Sequence, residues 1–409
     1  MTATLTDVDL TDLDTFVRGV PHDQFDKIRA EQPVYFHPEA EGSGFWCITR
    51  YDDLHTVSHE WEVFSSEWGI TLHESLSAEQ LEQNRMMMLM MDPPRHTKLR
   101  LLVNKGFTPR MINRLHDQVR TIARDIVDNI IERGECDFVV DVAAELPLQV
   151  IAEMMGVPQS DRHKVFDWSN RMIGSEDPEY AVSAENAMEA ATEMFMYAND
   201  LAARKRANPS DDIISVLLHA EVEGEQLSDL EFDLFFELLT VAGNETTRNL
   251  ISHGMLALIE NPDQRQLLVD DPEKLPMAVD EMLRYASPVM YMRRTARTGF
   301  ELRGERINEG DKVALWYIAA NHDPDVFAEP HRFDINRQPN EHEAFGGGGP
   351  HFCLGTHLAK LEIRVMFEEL IARIPDMQLS GDVERLRSNF INGIKHMPVT
   401  FPPAARAAA

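Results

Sequence analysis

Residues Ala344–Arg364 read AFGGGGPHFCLGTHLAKLEIR: four consecutive glycines and a proline precede Cys353, and a helical pattern begins just after it. Without side chains, the glycine backbone can turn tightly and lie close against a flat ligand. N–H groups near the following helix start can point at a sulfur anion, which favours thiolate over thiol. A glycine run alone would read as a flexible loop beside an ordinary buried cysteine, with a nucleotide-binding loop as second competitor. Neither predicts the other motifs of the chain. Cys47, in an alternating strand pattern, and Cys136, at the end of a helical stretch, read as small buried side chains. Three scattered cysteines provide neither a disulfide framework nor a Cys-x-x-Cys metal site.

Upstream of this loop, Ser228 precedes a long periodic stretch that stops at Asn261-Pro262. The pattern predicts a helix of about 32 residues capped by Ser228, long enough at 1.5 Å per residue to run through the core of a domain. In its middle, AGNETT (Ala242–Thr247) sets two small residues, an amide, an acid and two hydroxyls where good helix formers are expected. The hydroxyls can bond back to carbonyls, and Ala242 and Gly243 leave a gap for a flat ring and a diatomic ligand, or for another helix. Two strands, Val34 to His37 and Phe45 to Tyr51, are predicted near the start. From Arg110 to about Ala207, Gly134, Pro147, Pro158 and Pro178 divide a helical pattern into medium helices, and further helices are predicted around Pro276 to Tyr285 and from Thr356 to Arg373. The fold class is mainly α with small β-sheets.

With 409 residues, 43% of them hydrophobic, and neither a linker nor a repeat, the chain reads as a single domain over 1–409 with loose tails at about 1–15 and 403–409. A formal charge of −30 would repel phosphate backbones and anionic membranes, so nucleic acid is not an expected partner. The apolar run Met86 to Met91 is far short of the roughly 20 residues that span a bilayer, and no membrane span is expected. The N-terminus, MTATLTDVDLTDLD, is acidic and lacks the features of a secretory signal, so a cytoplasmic location is expected.

Phe345 through Gly355, with Phe, Gly, a basic residue, Cys and Gly in order, resembles the haem-binding loop of cytochrome P450 enzymes, and the resemblance covers nearly the whole chain. It implies the P450 fold, haem b between the long central helix and the cysteine loop, Cys353 as axial iron ligand, and O2 as co-substrate. A thiolate ligand donates electron density that favours O–O cleavage on the other face. Phe345 lies eight residues before Cys353, where many members have seven. The extra glycine resembles the sterol- and lipid-oxidising bacterial branch.

The same resemblance implies roles for other residues. Phe345, Gly347, Gly355, Ala242 and Gly243 would contact the cofactor. His96 and Arg100, in DPPRHTKLR, together with Arg294 and His351 would hold its propionates, with Arg293 the register rival of Arg294. Thr246 would act in the oxygen-binding groove and Glu245 would relay protons through water. Glu281 and Arg284 would form a buried structural group with Arg332. By composition alone, the RMMMLMM and VMYM runs read as core. Family position instead makes Met88, Leu89, Leu238, Val241, Ala242, Val289, Met290, Met292 and Ile391 the lining of an apolar substrate pocket.

The closing segment and the KVALWYIAANHDPDVF stretch look most like bacterial enzymes that hydroxylate methyl-branched lipids or sterol side chains at a terminal carbon. Arg95, Lys98, Arg100, Lys105, Arg110 and Arg114 form a basic stretch without an acid. It reads equally as a solvated helix face or as the docking face of an acidic ferredoxin. Electrons would come from a ferredoxin and a ferredoxin reductase using NADH or NADPH, and a monomer is expected. A terpenoid hydroxylase is the alternative substrate class. A peroxygenase, or a non-catalytic haem-based sensor or lipid-binding protein, would not need the Glu245-Thr246 pair.

Overall fold

The computed structural model describes residues 5–407 except 6, 41, 73–76, 108, 175, 181–182, 211 and 222–223, with the side chains of 109–114 and 184 also outside the description. The predicted long helix runs from Asp229 to Glu260, 32 residues, or about 48 Å. Its start is a capping box in which the Ser228 hydroxyl accepts the Glu231 N–H and the Glu231 carboxylate accepts the Ser228 N–H. At its end the chain turns at Asn261, and Pro262 opens the next helix. Because this helix carries apolar residues on nearly every side, other helices pack around it: Glu145–Met155, Arg162–Ile173, Ala184–Ala207, Leu275–Ala286 and Thr356–Arg373. The largest hydrophobic cluster lies among these helices.

Beside the helices stands a five-stranded sheet in which Val34–His37 pairs antiparallel with Phe45–Ile48. Phe45–Ile48 runs parallel to Lys312–Trp316, which pairs antiparallel with Tyr291–Ala296, and Phe64–Ser65 closes the far edge. The second strand, predicted to reach Tyr51, ends at Ile48. Tyr51 instead opens the Tyr51–His59 helix, because its N–H donates to the Asp323 carboxylate at 3.0 Å, a cap supplied from a distant loop.

Residues 8–15, expected within a loose tail, are packed. Val8, Leu10, Leu13 and Phe16 are buried, and three of them join a cluster with Phe25 and Trp316. The Leu10 N–H donates to His37 Nε2 at 3.0 Å, and the Leu10 carbonyl accepts from Asn389 at 2.8 Å. At the other end, residues 403–407 are exposed but tied by Ala404 N–H to the Ile131 carbonyl and by Ala407 N–H to Asp128.

Glu281 and Arg284 form a fully buried two-pronged pair, with both hydrogen bonds at 2.8 Å. The second arginine of the group is Arg337, not Arg332: Arg337 Nε lies 3.2 and 3.1 Å from the two Glu281 oxygens. Arg332 sits in the turn closed by its N–H to the Glu329 carbonyl, and its side chain faces outward to Glu329. It contributes its carbonyl, which accepts from Arg284 and Arg337. The next turn, closed by Arg337 N–H to the Asp334 carbonyl, carries Arg337 back inward. Removing Arg337 takes one of two guanidinium partners from a buried carboxylate and leaves the Ala328 and Glu329 carbonyls without its N–H groups. Arg337→Ala is therefore expected to cost about 3–5 kcal/mol of stability, and Arg332→Ala no more than about 0.5 kcal/mol. Chemical denaturation of the two variants checks this, and equal losses would contradict the assignment.

Candidate active site

The glycine loop folds back under its own cysteine: the Cys353 N–H donates to the Phe345 carbonyl at 2.9 Å. Gly346, Gly348 and Gly349 have φ of 93°, 79° and 71°, a region that side chains rarely adopt. Gly347 and Gly349 press against the Tyr51–His59 helix, where an added Cβ would meet Leu54 and Ser58. Gly347, expected at the cofactor, is therefore a packing residue, and Gly346 lines the cavity in its place. The open surface of Cys353 faces this cavity, while protein encloses the rest of the thiol. Burial pushes the thiol pKa up, opposed by the Gly355 N–H, the Thr356 hydroxyl, the Arg100 charge and the Thr356 N–H. Those donors suit a sulfur anion once a metal ion takes up its charge.

His96, Arg100, Arg294 and His351 converge on the cavity. Alternation along Tyr291–Ala296 separates the two neighbouring arginines. Met292 and Arg294 face the cavity, whereas Arg293 turns away to the Trp68 carbonyl at 2.8 Å and the Thr71 carbonyl at 3.2 Å. Among the described residues, Arg294 bonds to the Arg293 carbonyl, and Arg100 to the carbonyls of Pro350 and Phe352. The imidazoles of His96 and His351 lie 4.3 Å apart. Burial, followed by neighbouring positive charge, lowers the pKa of His96 to about 4 and that of His351 well below its ordinary value. His96 Nδ1 is buried without a partner.

Among the described residues, Glu362 is the one acid that lines the cavity. It is fully buried, one of its oxygens has no hydrogen-bond partner among the described residues, and burial raises its pKa well above its ordinary value, which favours the neutral form. Two guanidinium groups thus face a cavity in which, among the described residues, neither forms an ion pair with a carboxylate. This is a fit for a ligand that brings two carboxylates.

On the central helix, Ala242, Gly243, Thr246 and Thr247 line the cavity. The Thr246 hydroxyl donates back to the Ala242 carbonyl at 2.7 Å. Gly243 serves helix packing as well as the cavity, since a Cβ there would stand 2.5 Å from Ile151 Cδ1 of the Glu145–Met155 helix. Glu245 does not line the cavity: its buried carboxylate pairs with Arg248, which also donates to Asn170 at 2.7 Å. Burial raises the Glu245 pKa and the Arg248 charge opposes the rise.

Of the expected pocket residues, Met88, Leu89, Leu238, Ala242, Val289 and Met292 line the cavity, and Val241, Met290 and Ile391 do not. Val241 is about 100° round the helix from Ala242. Met290 packs into the N-terminal cluster beside Tyr291 and Trp316. Ile391 is buried and forms a backbone bridge with Val289. Phe107, Ile151, Tyr317 and Glu362 line the cavity without having been singled out from the sequence. Glu362 carried a signal, because it occupies an apolar register of its helix, four residues after Leu358 and four before Met366.

The sequence profile of the cytochrome P450 family matches residues 13–374. The chain belongs to the cytochrome P450 family. Among its relatives, the steroid C26-monooxygenase of Rhodococcus jostii is 41% identical, the alignment covering 97% of this chain and 85% of that one. The methyl-branched lipid omega-hydroxylase of Mycobacterium tuberculosis is 43% identical, covering 97% and 95%. The crystal structure of a Mycobacterium marinum cytochrome P450 in complex with pseudoionone superposes with a TM-score of 0.90 at 41% identity, covering 98% of this chain and 100% of that one.

As a P450 monooxygenase the protein uses haem iron and O2, and the residues fit that group: a thiol ringed by donors, and two cations that, among the described residues, pair with no carboxylate. The packing duty of Gly243 is separable from the cofactor. Gly243→Ala is expected to lower stability by about 1–3 kcal/mol, and Ile151→Val in the same chain to recover part of it. Thermal unfolding of the single and double variants checks this, and no recovery would contradict the contact.

Proposed function

We propose that this P450 hydroxylates the terminal carbon of a methyl-branched lipid or a sterol side chain, with haem b as cofactor and electrons from a ferredoxin and its reductase. The observation that carries the proposal is the apolar approach to Cys353, walled by Met88, Leu89, Leu238, Val289 and Met292. Such a wall accepts a hydrocarbon end and gives nothing for a polar one to bond. The names of the Rhodococcus and Mycobacterium relatives point to the same substrates.

When bound, the haem supplies O2 activation and insertion of one oxygen atom into a C–H bond. The protein's residues supply the rest. Cys353 is the iron ligand, and the Gly355 and Thr356 N–H groups steady its sulfur. Arg100 and Arg294, aided by the neutral imidazoles of His96 and His351, hold the propionates by charge-assisted bonds. The Thr246 hydroxyl lines the cavity and, once released from the Ala242 carbonyl, would donate a hydrogen bond into it. Glu245 would relay protons toward the cavity once its carboxylate left Arg248.

Ferredoxin docks on the face that includes the Arg95–Asn104 helix. Arg95 and Lys98 there are paired with Glu231 and Glu225, and Lys105 is bonded to the Glu221 carbonyl. This leaves less free charge than the sequence count implies. Arg110 and Arg114 lie outside the described side chains. The protein acts as a monomer.

The pseudoionone bound in the Mycobacterium marinum relative makes a terpenoid the second reading. An optical titration of the ferric protein separates them. A saturable Soret shift with methyl-branched fatty acids or cholestenone, and none with pseudoionone, is the expected outcome, and the reverse would move the proposal to terpenoids. Thr246→Ala is expected to keep haem and NADH consumption but to lower product per NADH roughly tenfold or more, the difference appearing as hydrogen peroxide. Unchanged coupling would remove Thr246 from the mechanism.

A further inference from the structure

Three histidines meet away from the haem cavity. His22 opens the His22–Glu31 helix, His322 follows the Tyr317–Ala320 turn of helix, and His331 lies in the turn that follows Glu329. The ring centroids are 4.3 Å apart for His22 and His322, and 5.2 Å for each with His331. One nitrogen from each ring lies within 4.8 Å of the others.

The hydrogen bonding leaves nitrogens of this group unused. His322 Nδ1 lies 2.8 Å from the Ile318 carbonyl, so it carries the proton, and Nε2 is a buried lone pair with no partner. His22 Nδ1 is also buried without a partner. His331 Nε2 meets the Asp26 carboxylate at 2.7 Å, which leaves its Nδ1 for another bond. Burial lowers the pKa of His22 to about 4 and that of His322 well below its usual value, so both rings are neutral near pH 7. Three rings packed only to fill space would not need to leave buried polar atoms unsatisfied.

We propose that His22, His322 and His331 bind a divalent ion of the zinc class, with Asp26 orienting His331. Neutral imidazoles suit such ions. A carboxylate on the far nitrogen of a ligating histidine fixes its tautomer and strengthens the bond. Bonds of about 2.0–2.1 Å require the three nitrogens to draw together by roughly an ångström. His331 can make that movement, since its side chain is 45% exposed. The nearby Arg29 and Arg284 disfavour positive charge at His22, and their pairing with Asp26 at 2.7 Å and with Glu281 at 2.8 Å reduces that opposition. The fourth position opens to water beside His331.

This ion would join the N-terminal helix to the segment that holds the buried Glu281 group. The carbonyls just before two of its ligands, those of Asn321 and Pro330, both accept from Arg284. The effect is structural and independent of the reaction at the haem.

The test uses untagged, haem-loaded protein freed of loosely bound metal with a chelator, then titrated with zinc ion by calorimetry and thermal unfolding. The wild type is expected to bind one equivalent and to unfold at a higher temperature. His331→Ala is expected to lose at least about tenfold in affinity and the thermal gain, and Asp26→Asn to lose about tenfold to a hundredfold in affinity. An unchanged Soret band shows that both variants are folded. His55→Ala, which breaks the surface His55–His59 pair (ring centroids 4.2 Å), is the control and is expected to bind like the wild type. No binding by the wild type, equal binding by His331→Ala, or loss of binding in His55→Ala would each overturn the proposal.

Discussion

A carboxylate sealed in protein must be answered by donors, and the Glu281 carboxylate organises much of the chain by that demand. It receives Arg284 from its own helix, and Arg337, the Asp334 N–H and Asn340 from the loop that follows the sheet. Asn321, whose carbonyl accepts from Arg284, also accepts the Glu343 N–H at 2.7 Å and donates to Ser287 at 2.8 Å. Glu343 is two residues before Phe345, where the glycine loop begins its return to Cys353. The position of the sulfur therefore depends on a network in which no member can be lost without leaving a buried charge or dipole unpaired.

What could be read from the sequence follows from how local the cause is. The central helix was legible because Ser228, Glu231 and Pro262 mark its ends chemically, and Thr356–Arg373 because its start follows directly on the cysteine loop. The cysteine, the cationic edge and most of the apolar wall were legible through family likeness. Arg332 was named and Arg337 was missed because which guanidinium of this loop enters the core is decided by the geometry of two successive turns. Val241 and Met290 failed for another reason: each is a single position away from a lining residue, so a small rotation or a break in strand alternation decides the matter. The N-terminal segment looked loose because its acids dominate the composition, while four apolar residues among them find a buried partner surface.

The site combines two unlike surfaces. One carries guanidinium groups that only neutral carbonyls meet, and the other is hydrocarbon. A ligand with charge at one edge and an apolar face satisfies both, as haem does, and the space that remains above it is left for a greasy substrate. Glu362 belongs to neither surface. Burial raises its pKa, and in its protonated form it would add a hydrogen-bond donor to the cavity wall.

The adjacent arginines of the Tyr291–Ala296 strand show how little separates a working assembly from a failed one. The pleat gives two chemically identical side chains opposite tasks, one fastening the segment around Trp68 and Thr71 and the other serving the cavity. A slip of one residue in pairing with Lys312–Trp316 would exchange them while leaving composition, charge and strand length untouched. The alignment of those two strands is thus an item of information as necessary to the enzyme as the cysteine, although no single residue encodes it.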